Sequence, residues 1–264
     1  MDPARLENAN ELCEAGRTEE AALEFHAMAQ ETDDPDEKAA TLANEHKCYC
    51  QLGQFDRANE TMRIMRSLPV KDKFVRMIVD FGDASMVTQM GKLEEGALKF
   101  TRILEENQEQ LGSPELRYLY EDIQERRAFA LVGVDRHAEA LPILKEAVSF
   151  TTDRADPQLV HFYLGVCYSS ASEPNLAKEE LLRAIGLGLS DQFEASARYR
   201  LAMLYFMSRA FAQAKLHLEA ALALQEGVTD VELRRFIYQG LSRTCHYLGE
   251  FQEEQKYLSL AKSS

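Results

Sequence analysis

A small residue followed four positions later by a large apolar one, and three after that by another apolar residue, recurs along the whole chain. The triplets are Ala21/Phe25/Met28, Ala58/Met62/Met65, Gly96/Phe100/Ile103, Ala140/Leu144/Ala147, Ala177/Leu181/Ala184 and Ala214/Leu218/Ala221. A seventh, Glu254/Leu258/Ala261, has lost its small residue. Their first members step by 37, 38, 44, 37, 37 and 40 residues, the period of stacked helix pairs rather than of one globular core.

Each period opens with an amphipathic stretch, breaks at a short turn, and resumes as a second amphipathic stretch. Four turns carry glycine, at Gly16, Gly53, Gly91 and Gly249. A helix ends at least cost through a left-handed residue without a β-carbon. The first helices have their own pattern, a small residue with an apolar or aromatic one three positions on: Ala9/Leu12, Ala84/Val87, Gly165/Tyr168, Ala202/Tyr205 and Ser242/Cys245.

These two patterns together resemble the tetratricopeptide repeat (TPR) family, in a long-repeat variant. Leu164-Gly165-Val166-Cys167-Tyr168 followed by Ala177, Leu181 and Ala184 carries the resemblance best, and Leu201 to Tyr205 with Ala214, Leu218 and Ala221 is close behind. The resemblance implies an all-α, right-handed superhelical solenoid of about seven TPR-like helix-turn-helix repeats. It reads as a single array over residues 1–264, with repeats near 2–34, 37–69, 71–111, 115–152, 157–188, 191–226 and 230–264. His46 and Glu254 stand where small residues are expected, which predicts wider helix spacing there. The turn Gly133 to His137 leaves the fourth repeat with two registers, Ala128/Leu131 or one shifted by two residues. The residues beyond the standard repeat length are expected in longer helices or longer connections.

Thirty Lys and Arg against 44 Asp and Glu give a net charge of -14, which opposes attraction to nucleic acid or anionic lipid. Residues 1–70 hold 15 acidic and 7 basic side chains, a bias read as a solvated helix face. With no apolar run long enough to span a bilayer and no secretory pattern at the N-terminus, the expectation is a soluble, cytoplasmic protein. Five cysteines, an odd number inside predicted helices, argue against a disulfide framework.

Catalytic and cofactor chemistry find little support. Gly186-Leu187-Gly188 lacks the preceding strand and third glycine of a phosphate loop and reads as a helix C-terminus. Cys48 and Cys50 fall on different helix faces with no second ligand pair, so no metal site is assigned. The six histidines stand in no recurring relation to a nucleophile. A solenoid offers an open groove rather than a closed, water-excluding pocket, so the chain is read as a non-enzyme without cofactors.

The resemblance also implies where a partner would sit, because first helices of the family line the concave side. The corresponding residues include Phe81 and Ser85 in the third repeat, Phe162 and Val166 in the fifth, and Tyr199, Met203, Phe206 and Met207 in the sixth. In the seventh they are Gln239, Arg243 and His246, beside Tyr247. Cys13 and Cys50 are expected on this face, with Cys48, Cys167 and Cys245 packed inside. Family members that grip acidic tails use a clamp of Lys, Arg and Asn. Only Asn10, Lys47 and Arg243 fit it here, and they are far apart in sequence. An apolar lining suits an amphipathic helix or apolar peptide of a partner protein instead. The function this implies is a scaffold or adaptor. The alternative is a sensor of a signalling peptide or small effector acting in trans, and self-association through an uncapped C-terminal repeat is a further expectation.

Overall fold

The computed structural model describes residues 3–150, 156–224 and 226–263, which form α-helices, one 3-10 helix and no strand. The chain divides into two compact units, Met1–Asp135 and Arg136–Ser264. The first holds α1 (Pro3–Glu14), α2 (Thr18–Glu31), α3 (Pro35–Gln51), α4 (Phe55–Ser67), α5 (Lys73–Gln89), α6 (Leu93–Glu106), the short α7 (Gln108–Leu111) and α8 (Arg117–Gly133). The second holds α9 (His137–Ala147), α10 (Pro157–Ser170), α11 (Pro174–Leu187), α12 (Asp191–Met207), α13 (Phe211–Ala223), α14 (Val231–Leu248) and α15 (Phe251–Ser263). Within each unit the helices pack chiefly on their neighbours in sequence, α8 packs mainly on α6, and the first helices of consecutive pairs also touch, α3 with α5 and α12 with α14.

The turn inside each helix pair is the fixed part of the design. Gly16, Gly53, Gly91, Asp135, Ser172, Arg209 and Gly249 all have positive φ, and each lies seven residues after the small position of its first helix and five before that of its second. In six of the seven, the next residue's amide donates to the carbonyl five residues back: Arg17 to Leu12, Gln54 to Tyr49, Lys92 to Val87, Glu173 to Tyr168, Ala210 to Tyr205 and Glu250 to Cys245. This is the helix-ending motif that satisfies carbonyls left without helical partners. Applied to the fourth pair, positive φ at Asp135 selects the Ala128/Leu131 register, and both residues are buried.

Burial follows the sequence triplets. Ala21, Ala58, Ala140, Ala177 and Ala214 are inaccessible, as are Phe25, Phe100, Leu144, Leu181 and Leu218 beneath them. Small size at the first-helix position is required by contact. A β-carbon on Gly165 would lie 2.6 Å from Cγ of Leu181 across the pair. The extra residues go to two places. First helices α3, α5, α8 and α12 run 17 residues and α14 runs 18. The longest step is filled by α7 and the 3-10 helix Pro114–Leu116. Gly186 lies in the last turn of α11, and Gly188 caps that helix with φ +92°.

The His46 ring is buried and faces Gly82 of α5, where an added β-carbon would lie 3.4 Å from its Nδ1. Cys50 corrects the sequence expectation. It is buried, with Sγ 3.8 Å from the His46 ring nitrogens, rather than on the partner-facing surface. Cys48, Cys167 and Cys245 are packed inside as expected.

Two predictions follow from the backbone and from His46. Arg209→Gly removes a β-carbon from a left-handed position and is expected to stabilise the fold by about 0.5–1 kcal/mol, while Gly53→Ala costs about 1–2 kcal/mol, both read by urea denaturation. Burial lowers the His46 pKa from 6.5 to about 4, against the opposing pull of Asp83. Between those values the unfolded chain binds a proton that the folded chain does not. Stability from this group is therefore complete above pH 6.5 and is lost as pH falls toward 4, by roughly 3 kcal/mol in all. His46→Gln should flatten that part of the stability–pH curve.

Candidate functional site

Three clefts differ in chemistry, and the difference selects among them. One of about 280 Å³ in the first unit is lined by Arg5, Glu31, Asp33, Glu37 and Thr41, where Arg5 already bonds Glu24 and Glu31. Another of about 120 Å³ is lined by Arg66, Asp80, Asp83, Lys99, Arg102 and Glu106. There the buried Asp83 carboxylate is held by Arg66 at 2.6 Å and Lys99 at 2.7 Å, and burial raises the Asp80 pKa. Both are lined by charged side chains: the first sets one cation among three carboxylates, and the second sets three cations against three carboxylates.

The third cleft, in the second unit, is apolar with a single cation. Tyr199, Met203 and Phe206 come from one face of α12, and Phe236, Gln239, Gly240 and Arg243 from one face of α14. Spacings of three and four residues put each set in line on its helix. Gly240 lets the helices approach, since a β-carbon there would lie 3.0 Å from Leu218 and 3.4 Å from Met203. Tyr199 stacks on Phe236 with centroids 6.2 Å apart, and burial raises its phenol pKa. The Arg243 guanidinium sits 5.6 Å from the Phe206 centroid and forms no ion pair among the described residues.

An aromatic surface continues from this cleft to the pair turns. Phe206 meets Phe211 and Tyr247 edge-on at 5.3 and 5.4 Å, and Phe211 stacks on Tyr247 at 4.7 Å. His246 lies edge-on to Tyr247 and Phe251 and has its Nδ1 3.2 Å from Glu254. Met207, Tyr247 and Phe251 are 80%, 60% and 62% exposed. Such a contiguous patch is unusual on a chain without a partner.

The sequence-expected residues therefore separate. Tyr199, Met203, Phe206, Gln239 and Arg243 line one cleft, with Met207 and His246 on the adjoining surface. Phe162 and Val166 do not join them. Both are buried, and Phe193 of α12 lies edge-on over Phe162 at 5.4 Å. Phe81 and Ser85 belong to the first unit. Phe81 is half-buried between Phe100 and the Arg126 guanidinium, and Ser85 Oγ is buried without a hydrogen-bond partner. Phe236 and Phe211 were missed. A signal for Phe211 existed, because Phe55, Phe211 and Phe251 all stand two residues after the left-handed position. Among the described residues no three His, Cys, Asp or Glu side chains are placed to hold a metal, and no helix is long and apolar enough to cross a membrane.

Helix pairs joined by one repeated turn, with first helices packed in series, define a helical-repeat fold in each unit. No protein-family profile and no curated protein matches the chain. Solved structures do. The apo form of the quorum sensor NprR from B. thuringiensis is similar at TM-score 0.77 and 14% identity, over 98% of this chain and 74% of that one. The type IV pilus biogenesis factor PilW is similar at 0.62 and 15% identity, over 88% and 94%. A tetratricopeptide repeat protein from Parabacteroides merdae is similar at 0.59 and 14% identity, over 98% and 91%. The fold of this chain is that of the tetratricopeptide repeat.

Phe206 is the ring that Phe211, Tyr247 and Arg243 share. Phe206→Ala is expected to cost about 1–2 kcal/mol in urea denaturation, more than Met207→Ala at an exposed site, which should stay within about 0.5 kcal/mol.

Proposed function

We propose that the chain is a non-catalytic protein-interaction module whose second unit docks an apolar peptide or amphipathic helix of a partner protein. The seat is the cleft between α12 and α14 and the aromatic surface beside it. The observation that carries this reading is the aromatic cluster of Phe206, Phe211, Tyr247 and Phe251, half-buried at the two phenylalanines nearest the cleft and exposed at Tyr247 and Phe251, running out of a cleft that holds a cation and no carboxylate. Aromatic rings supply large contact area at low entropic cost, and Met203 and Met207 supply an adaptable surface. The cleft encloses only about 40 Å³, room for a few waters rather than for an engulfed metabolite. It therefore suits side chains laid onto a surface. Arg243, free of an internal carboxylate, favours a segment that sets an acidic group beside its apolar anchors.

A second reading, a sensor acting in trans, draws on the likeness to the quorum sensor NprR over 98% of this chain. A small effector that raises the melting temperature in a thermal-shift screen would favour it.

Because Tyr199 and Phe206 also pack against the core of the second unit, the docking test uses exposed positions. Arg243→Glu and Tyr247→Ala are expected to keep the wild-type melting temperature within a few degrees and to lower recovery of partner protein from the native source by roughly tenfold. Equal recovery with both variants would remove the cleft as the docking site.

A further inference from the structure

Four of the five cysteines are buried, and Cys13 is half-exposed near the end of α1. Its Sγ lies 3.4 Å from Sγ of Cys48 on α3, and no other two thiols are in contact among the described residues. Cys50, two residues further along α3, faces the His46 ring instead. Both members of the pair belong to one apolar cluster with Ala9, Leu12 and Tyr49, so the same packing that seats α1 holds the sulfurs together. α1 packs mainly on α2, and a helix held on one side opens more readily than one packed on several.

We propose that Cys13 and Cys48 form a reversible modification site that reacts with a low-molecular-weight disulfide, such as oxidised glutathione, and closes to an intramolecular disulfide joining the first helix pair to the second. The half-exposed Cys13, as thiolate, attacks one sulfur of the small disulfide. One glutathione thiolate leaves, and Cys13 is held as a mixed disulfide. Cys48 then gives its proton to solvent and attacks Cys13 Sγ, and the second glutathione thiolate leaves. Two protein thiols are oxidised, one small disulfide is reduced to two thiols, and no other oxidant is needed. Closure asks the sulfurs to approach by about 1.4 Å, to the length of a disulfide bond, a shift within reach of α1. Burial pushes the Cys48 thiol up to about 12, so the second step is the slow one and speeds up as pH rises. The product ties α1 to α3 and restrains the segment of this unit with the least neighbouring structure.

The test equilibrates the full chain with oxidised glutathione and reads intact mass, followed by proteolytic mapping. The expected result is loss of two hydrogens and a peptide linking residue 13 to residue 48. Because Cys48 and Cys50 share a tryptic peptide, the mapping is repeated in Cys50→Ala, which should still form the link. Cys13→Ser should retain the far-UV spectrum and form none. Closure from the mixed disulfide should accelerate by about tenfold per pH unit between pH 7 and 9, and backbone amide exchange in α1 should slow by roughly tenfold or more after oxidation. A persistent glutathione adduct on Cys13, a link to Cys50, or five thiols still free after equilibration would each overturn the proposal.

Discussion

The hydrogen bond from the residue after the left-handed turn to the carbonyl five residues back, made in six of the turns, is the constraint on which the helix pairs depend. It ends the first helix at a set residue and starts the second within a few more. The first-helix small position and the second-helix small position are thereby held twelve residues apart in those six pairs, and the same interval in sequence separates Ala128 from Ala140. Because that interval never varies, the same contact recurs: a small residue on one helix under a large apolar one on the other, as with Gly165 and Leu181. Length variation falls on the first helices and on the connections between pairs, where α7 and a 3-10 turn are inserted, without disturbing the turns inside the pairs. Asp135, Ser172 and Arg209 adopt the strained conformation without glycine's freedom. Each costs about 1–2 kcal/mol, and the buried side chains on either side offset it.

Electrostatics inside the first unit follows the same repeated geometry. Asp83 sits one position before the small residue Ala84, and Glu45 one before His46. Both carboxylates are buried, one held by Arg66 and Lys99 and the other by His26 and Thr61. For these two carboxylates the donors come from neighbouring helices, as an unpaired charge there would cost several kcal/mol. In the second unit Arg243 is an exposed cation set against an aromatic ring without a carboxylate. That sets the α12–α14 cleft apart from the two clefts lined by carboxylates.

The helix pairs were legible because their signal is periodic and local. Each triplet lies within one helix, and the glycines at residues 16, 53, 91 and 249 mark turns whose chemistry is backbone chemistry. What the sequence hid depended on side chains from a different pair. The register of the fourth pair was ambiguous because Asp135 carries the left-handed conformation that glycine announces elsewhere. That the His46 ring faces Gly82 was hidden because Gly82 lies 36 positions away on another helix. Cys50 was misplaced for the same reason, since its burial beside His46 depends on how α3 meets α5.

The aromatic residues show this limit most clearly, because two chemically alike positions end in opposite environments. Phe162 and Tyr199 each stand three residues before the small position of a first helix, so offset alone assigns them the same role. Each meets a ring from the next first helix, Phe193 for Phe162 and Phe236 for Tyr199. Phe193 stands nine residues before its own small position, and its edge-on ring helps seal Phe162 into the core. Phe236 stands only six before its own and stacks face to face, leaving Tyr199 half-buried and itself 40% exposed. A shift of three residues, close to one helical turn, thus separates a sealed core ring from an open one. The identity of an apolar side chain on a first helix is insufficient to assign it to the surface that a partner meets. The position of the facing ring on the next helix decides it.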